Sequence, residues 1–288
     1  MFPAQITYHR AGSVAEAVQL LSDNEGAKLL AGGHSLLPLM KLRLAAPAVL
    51  VDIGRIEALK GVSASGGGIT IGALTTHAEI ASSDLVQQHA PVLAEAAALV
   101  GDPAVRNRGT IGGSVSHADP ASDQPTVLAA LDATFNVTGP GGDRSIAAAD
   151  FATGLLENAL AENEVLTSIS VPSVPSGAGS AYVKFPHPAS RYAVVGAAAV
   201  LAVSGGACSS ASVAVGGVET TPVRASSVEA ALAGSDLSDA ALDAAAAAVA
   251  GDLNGDAMGD VFASAEYRRA MAAVYVRRAL GAAASRAG

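Results

Sequence analysis

The sequence predicts an α+β protein built in three units, residues 1–55, 56–175 and 176–288. Three observations carry that prediction. In the first unit, short apolar runs alternate with capped helical segments. In the second, glycine clusters join strand-like runs as hairpins. In the third, strand-like runs come first and helical runs follow, the order of an α+β domain.

Each element has a local reason. Ser13-Val14-Ala15-Glu16 is a capping box that opens an amphipathic helix through Leu21. Lys28 to Ala31 is a short apolar strand, ended by Gly32-Gly33. Ser35 to Arg43 reads as a short helix with Pro38 in its tolerated first turn. Val49 to Ile53 is a strand. Gly61–Ser65 and Ile69–Gly72 flank Gly66-Gly67-Gly68 and form a hairpin. Thr76-His77-Ala78-Glu79 caps a helix. Pro91 to Val100 is a helix, with Pro at its start and Gly101 past its end. Asp119 to Asp123 leads into a helix ending near Leu131. Phe135–Thr138 and Ser145-Ile146 surround the turn Gly139–Gly142, and Val165–Val171 is a strand. Val171 to Gly177 is the linker. Beyond it lie strands at Ala181–Phe185, Val194–Val203 and Ala211–Val215. Helices follow at Ser226–Leu232, Ser238–Ala250 and Ser264–Leu280, the last stopped by Gly281.

Composition excludes several classes. Half the residues are hydrophobic, but only 3% are aromatic and Trp is absent. The core is therefore built from Ala, Val, Leu and Ile. The 17 basic and 26 acidic residues give a formal net charge of −9. Nucleic-acid binding needs a concentrated basic surface, so it is excluded. There is no polybasic membrane anchor. The longest apolar run, Ala193 to Val203, is far short of the roughly 20 residues that span a bilayer. Met1 to Gln5 shows no basic stretch ahead of an apolar one, so no signal peptide is expected. The single Cys208 has no disulfide partner and cannot hold an iron–sulfur cluster; it reads as a buried strand residue. A cytoplasmic location is expected. No catalytic triad, carboxylate pair or metal-ligand spacing stands out, so neither a catalytic residue nor a metal site is assigned.

Two glycine pentapeptides carry chemistry. Ala31-Gly32-Gly33-His34-Ser35 and Thr110-Ile111-Gly112-Gly113-Ser114 each join adjacent glycines to a serine. Without a Cβ, backbone N–H groups come close to a ligand, and successive N–H groups form an anion nest. Two such loops suggest a diphosphate gripped from both sides. The bland alternative is a pair of simple turns in a chain with 31 glycines. The G-x-G-x-x-G and P-loop patterns are absent, which disfavours a nicotinamide Rossmann unit and a P-loop NTPase.

With their flanks, these loops resemble the FAD-binding medium subunits of the molybdenum hydroxylases, the xanthine dehydrogenase family. The likeness rests on residues 31–43 (Ala-Gly-Gly-His-Ser-Leu-Leu-Pro-Leu-Met-Lys-Leu-Arg), on Arg106–Ser114 and on Asp119–Asp123. The first stretch is most similar to the aerobic carbon monoxide dehydrogenase branch, and the likeness spans essentially the whole chain. The resemblance implies a bipartite FAD-binding domain of the vanillyl-alcohol-oxidase (PCMH-type) fold. A C-terminal α/β domain of the carbon monoxide dehydrogenase flavoprotein type would follow. It implies non-covalent FAD, with [2Fe–2S] clusters on a small partner subunit and the molybdenum cofactor on a large one. Electrons would arrive from the clusters and leave to a quinone or similar acceptor. It also implies a dimer of heterotrimers, associated through the complex with the inner face of the cell membrane. Nicotinate, quinoline, isoquinoline, aldehyde or xanthine hydroxylases stay open as substrate alternatives. A stand-alone flavin oxidoreductase would need its own acid or base beside the flavin, and a scaffold would not need two intact nests.

Carried over by position, Leu29, Leu30, Ala31, Gly32, Gly33, His34, Ser35 and Leu36 would line the first FAD segment. Thr110, Ile111, Gly112, Gly113 and Ser114 would form the second. Val100, Leu166 and Lys184 would lie near the flavin, Tyr192 beside its ring, and Asp123 would accept from ribose or ribityl hydroxyls. His34 and His117 would donate to phosphate or ribityl oxygens; the alternative is a solvent-facing loop histidine. Arg106 and Arg108 either balance phosphate charge, meet a partner, or stand exposed. The plain alternatives are a helix N-cap or first-turn acid for Asp123, a solvated strand residue for Lys184 and a core residue for Tyr192. Asp102-Pro103 reads as a turn, and Glu157, Glu162 and Glu164 as a solvated patch.

Overall fold

The computed structural model describes residues 2–288. The chain starts with β1 (Thr7–Arg10), α1 (Val14–Asp23), β2 (Lys28–Leu30), α2 (Leu36–Lys41) and β3 (Val49–Asp52). Strand β3 is central, with β1 and β2 parallel to it on either side. Helix α1 turns Ala17, Val18 and Leu21 into the core. The Ser13 hydroxyl accepts from the Glu16 N–H at 3.1 Å, while the Glu16 carboxylate accepts from the Gly12 N–H at 2.7 Å. That second bond lies one residue upstream of a regular capping box. Strand β1 is absent from the sequence reading because Thr-Tyr-His-Arg is polar and mostly exposed. Pairing with β3, not local pattern, makes it a strand.

The middle unit begins with the hairpin β4 (Val62–Ser65) and β5 (Gly68–Gly72). Helices α3 (His77–Ser82), α4 (Asp84–His89), α5 (Pro91–Leu99), α6 (Pro103–Arg106), α7 (Ile111–His117) and α8 (Asp123–Ala130) follow. A second hairpin, β6 (Thr134–Gly139) and β7 (Gly142–Ala147), leads to α9 (Ala148–Phe151) and to the two-stranded β8 (Ala152–Gly154) and β9 (Glu157–Asn158). Strand β10 (Val165–Pro172) inserts between the hairpins, giving the antiparallel order β4-β5-β10-β6-β7. The helices bury Leu93, Ile111 and Leu128 against Ile69, Ile71 and Ile169 of this sheet.

The last unit is the antiparallel sheet β11 (Gly179–Pro186), β12 (Ala193–Ser204), β13 (Ala207–Gly216) and β14 (Val223–Arg224). It is followed by α10 (Ser226–Leu232), α11 (Asp239–Ala247) and α12 (Ala265–Ala284). Strand periodicity of two divides its side chains. Ala181, Ala197, Ala199, Val213 and Val215 face the three helices. Tyr182, Ala198, Val200 and Ala214 join the core of the middle unit. Small alanines on both faces let the sheet lie close to its neighbours, which is how a core almost without aromatics fills. Cys208 is buried in β13, and burial pushes its thiol up.

Three local expectations change. Gly112-Gly113 is not a loop but the first turn of α7, because the Thr110 hydroxyl accepts from the Gly113 N–H at 3.1 Å and caps the helix. Gly281 does not stop α12, which runs on to Ala284 with Ala279, Leu280 and Ala283 buried. Burial of that face outweighs the ~1 kcal/mol that a helical glycine costs. Asp102 is the N-cap of α6, accepting from the Val105 N–H at 2.9 Å.

Candidate functional site

A cleft of about 790 Å³ lies where the three units meet. That is within the ~300–1,000 Å³ usual for small-molecule and cofactor sites. Its walls come from the β2–α2 connection, from the starts of α3 and α7 with β10, and from Ser190-Arg191-Tyr192 of the last unit.

The two glycine segments form one wall. A Cβ added to Gly32 would lie 2.1 Å from the Arg108 carbonyl oxygen, so these backbones are in direct contact. Gly112 is packed as tightly on Ala73, with 2.6 Å to that residue's Cβ and oxygen. Gly33 has φ +77°, the left-handed region that glycine enters cheaply. A bulge in β10 between Leu166 and Ser168 supports this wall from behind. The Thr167 carbonyl accepts from the Ala73 N–H at 3.0 Å, and the Ala73 carbonyl accepts from the Gly112 N–H at 2.9 Å.

The amide groups are not equivalent. The N–H groups of Gly33, His34 and Ser35 donate to no acceptor among the described residues. In the second segment, Ile111 donates to the Thr75 carbonyl at 3.0 Å and Ser114 to the Thr110 carbonyl at 3.0 Å. The Gly113 N–H is held by the Thr110 hydroxyl. The symmetrical picture of two amide nests is therefore corrected. One segment offers unpaired amides; the other offers a Cβ-free surface and the Ser114 hydroxyl.

The residues expected at the site line this cleft except Leu30, Ile111 and Lys184. Ile111 is fully buried in the core of the middle unit. The Leu30 side chain lies 3.3 Å from where a Cβ on Gly33 would stand and is not part of the lining. Lys184 is not a solvated strand residue. Its ammonium donates to Asp123 Oδ2 at 2.8 Å and to the Leu99 carbonyl at 2.9 Å, and its side chain is only 4% exposed. Asp123 Oδ1 accepts from the Tyr182 hydroxyl at 2.6 Å. Burial pushes the Asp123 carboxyl up, opposed by Lys184 and by the Tyr182 hydroxyl. This buried pair ties α8 to the C-terminal sheet, directly behind the cleft. The cap of α8 is Ser122, not Asp123.

Tyr192 stands at the edge of the cleft, 39% exposed, on a loop where Arg191 has φ +61°. Partial burial and nearby Asp119 push its phenol up, and the Ser35 hydroxyl opposes them. His34 is exposed and His117 half-buried, both on the lining. Arg106 and Arg108 do not line the cleft. The Arg106 guanidinium donates to the carbonyls of Val100 at 3.0 Å and Gly101 at 3.3 Å. Arg108 is exposed and contributes its backbone oxygen to the Gly32 contact.

Two parts of the lining escaped the sequence reading. Glu157, Glu162 and Glu164 line the cleft; Glu157 and Glu162 are exposed, as a solvated patch would be, and Glu164 is half-buried. The β8–β9 ribbon contributes Thr153, Glu157 and Asn158 to the lining, and Asn158 Nδ2 donates to the Ser116 carbonyl at 2.7 Å. Glu164 is held by Arg144 at 2.7 Å through both oxygens, which keeps its carboxyl below the usual range. The other omission is His77. Its position at the start of α3 is set by the Thr76/Glu79 capping box. Its ring lines the cleft, is 4% exposed, and neither ring nitrogen has a hydrogen-bond partner among the described residues. Burial, then Arg106 and His34, lower its pKa to about 4, so the imidazole is neutral. A histidine immediately after a capping Thr was the sequence signal available.

Comparison with known proteins identifies the family. Residues 4–174 match the family model for the FAD binding domain in molybdopterin dehydrogenase, and residues 180–283 match that for the CO dehydrogenase flavoprotein C-terminal domain. The carbon monoxide dehydrogenase medium chain of Afipia carboxidovorans is 41% identical over 288 residues, covering 100% of this chain and 99% of that protein. The glyceraldehyde dehydrogenase medium chain of Sulfolobus acidocaldarius is 40% identical over 83% of this chain and 85% of its own length. Among solved structures, a carbon monoxide dehydrogenase from Hydrogenophaga pseudoflava superposes with a TM-score of 0.96 at 44% identity, covering 100% of both chains. Quinoline 2-oxidoreductase from Pseudomonas putida 86 gives 0.93 at 33% identity, covering 99% of each.

Proposed function

The chain belongs to the FAD-binding flavoprotein subunits of the molybdenum hydroxylases, and on that premise we propose that it is the electron-transferring medium subunit of a carbon monoxide dehydrogenase. The observation that carries the reading is the contact of Gly32 with the backbone of Arg108 and Gly109, in a cleft that Gly32, Gly33, Gly109, Gly112 and Gly113 all line. The residues present fit FAD. The wall has no room for a Cβ at Gly32 or Gly112, it presents unpaired amides at 33–35, and it holds an unpaired buried nitrogen on His77.

A bound FAD supplies a junction between one-electron and two-electron transfer. The chain's task is to hold and orient it. The amides of Gly33, His34 and Ser35 face the diphosphate as neutral donors, which suits a protein of net charge −9. Gly32 and Gly112 let the wall pack directly on the backbones of Arg108 and Ala73, and the Ser114 hydroxyl adds a donor. His34 and His117 face phosphate or ribityl oxygens. Leu29, Ala31, Leu36, Val100 and Leu166 form apolar lining. Asp123 retains lone pairs for a ribose or ribityl hydroxyl, and Lys184 acts through it. Tyr192 shields the ring at the cleft edge.

The partners in this reading are an iron–sulfur small subunit, which delivers electrons, and a molybdenum large subunit, which oxidises the substrate. Two heterotrimers pair, and a quinone or similar acceptor takes the electrons. The complex is cytoplasmic and associates with the inner face of the membrane; no described helix is long and apolar enough to cross it. The units divide at 55/56 and 175/176. The test is purification with co-purifying polypeptides, followed by absorption spectroscopy. Bound-flavin bands appear in the wild type and vanish when Gly112 and Gly113 are both replaced by Val. Reduction of the flavin by carbon monoxide, and not by quinoline, nicotinate or an aldehyde, establishes the substrate; the converse assigns a sister hydroxylase.

A further inference from the structure

His77 enters the cofactor reading only as an unpaired nitrogen, with no role assigned to it. Its Nδ1 is fully buried and has no partner, although buried polar atoms are nearly always hydrogen-bonded. The ring sits at the junction of both glycine segments. A Cβ added to Gly109 would lie 3.0 Å from its Cδ2 and 3.3 Å from its Nε2. The His77 N–H donates to the Gly109 carbonyl at 3.0 Å, which fixes the residue there.

The surrounding charges leave the ring without a counter-ion. On its own helix, Glu79 is engaged by the Thr76 N–H at 2.7 Å and the Thr76 hydroxyl at 2.8 Å. From α6, the Arg106 guanidinium adds positive charge, and Asp102 is engaged as the helix cap. From the first glycine segment, His34 adds a second imidazole. No carboxylate is hydrogen-bonded to His77 among the described residues. The cluster is basic and disfavours the imidazolium while the cleft holds no anion.

We propose that His77 is a proton-accepting anion ligand, so that binding of the FAD diphosphate is coupled to protonation of this imidazole. The inference rests on the reading that the cleft takes FAD. An anion at the glycine junction supplies the missing counter-charge and an acceptor for a ring N–H. The proton comes from solvent and goes onto the ring nitrogen that was unprotonated; no covalent bond to the cofactor forms. Burial keeps the free imidazole neutral, with a pKa of about 4, so a proton is available to be taken up near pH 6. By linkage, affinity then rises as pH falls, by up to about tenfold per pH unit between pH 6 and 5.

The experiment is calorimetric titration of FAD into the deflavinated complex, carried out near pH 6 in two buffers of different ionisation heat. The wild type takes up most of one proton. His77→Gln and His77→Asn bind FAD without that uptake, while His34→Gln retains it. The chemical shift of the His77 ring in the wild type, with and without FAD, reports the same protonation and needs no variant. Absence of FAD binding in the wild type overturns the functional reading. FAD binding with no proton uptake, or with uptake lost in His34→Gln and kept in the His77 variants, overturns this inference alone.

Discussion

Gly32→Ala tests the wall of the cleft most directly. The new methyl would lie 2.1 Å from the Arg108 carbonyl oxygen and 2.8 Å from its carbon. Carbon and carbonyl oxygen normally rest about 3.3 Å apart, so the overlap is roughly 1.2 Å. Both atoms are backbone, and no rotamer change relieves it. The neighbouring segment is also tied down: Gly109 donates to the Val105 carbonyl at 2.7 Å and accepts from the His77 N–H at 3.0 Å. Overpacking of this kind costs about 1–3 kcal/mol. If that cost falls on the bound geometry, FAD affinity drops by roughly 5- to 150-fold, at ~1.4 kcal/mol per decade. If it falls on the fold, the melting temperature drops instead. Flavin fluorescence titration and thermal unfolding, run together, capture either. Gly141→Ala is the control, because nothing lies within 4 Å of its new Cβ. Wild-type FAD affinity together with an unchanged melting temperature in Gly32→Ala would refute the packing argument.

Two further outcomes are expected. Lys184→Met leaves the Asp123 carboxylate buried without its cation and destabilises by about 3–5 kcal/mol. Adding Asp123→Asn restores most of that loss in denaturant unfolding, and a double variant no more stable than the single one would show that the pair is not coupled. The free protein also loses stability as pH falls from about 6.5 to 4. The unfolded state binds a proton at His77 in that window and the folded state, with its lowered pKa of about 4, does not. The full effect is about 3 kcal/mol. The pH dependence of urea unfolding should flatten by that amount in His77→Gln; an identical slope in both proteins would contradict a neutral buried imidazole.

Much of the fold was legible because its signals are local. Glycine clusters, capping Ser and Thr residues and period-two apolar runs act within a few residues, and they place most strands and helices. Strand β1 was invisible because its polar residues become a strand only by pairing with β3. The cleft segments were legible in part: adjacent glycines marked where backbone comes close, and Gly32 and Gly112 both pack on backbone from elsewhere. Their exposed amides were not. The Thr110 hydroxyl cap and the Ala73 carbonyl occupy N–H groups that the pattern suggested were free.

The sequence by itself determined most of the longer strands and helices, the acidic, aromatic-poor character of the chain and the positions of the two glycine segments. Tertiary structure alone decided which polar atoms are satisfied. It buried Lys184 against Asp123, placed Glu164 half-buried in the cleft lining, and left His77 unpartnered. The physical reason is range. A backbone conformation is set by near neighbours along the chain, whereas the hydrogen-bond partner and local dielectric of a side chain are supplied by segments tens of residues away.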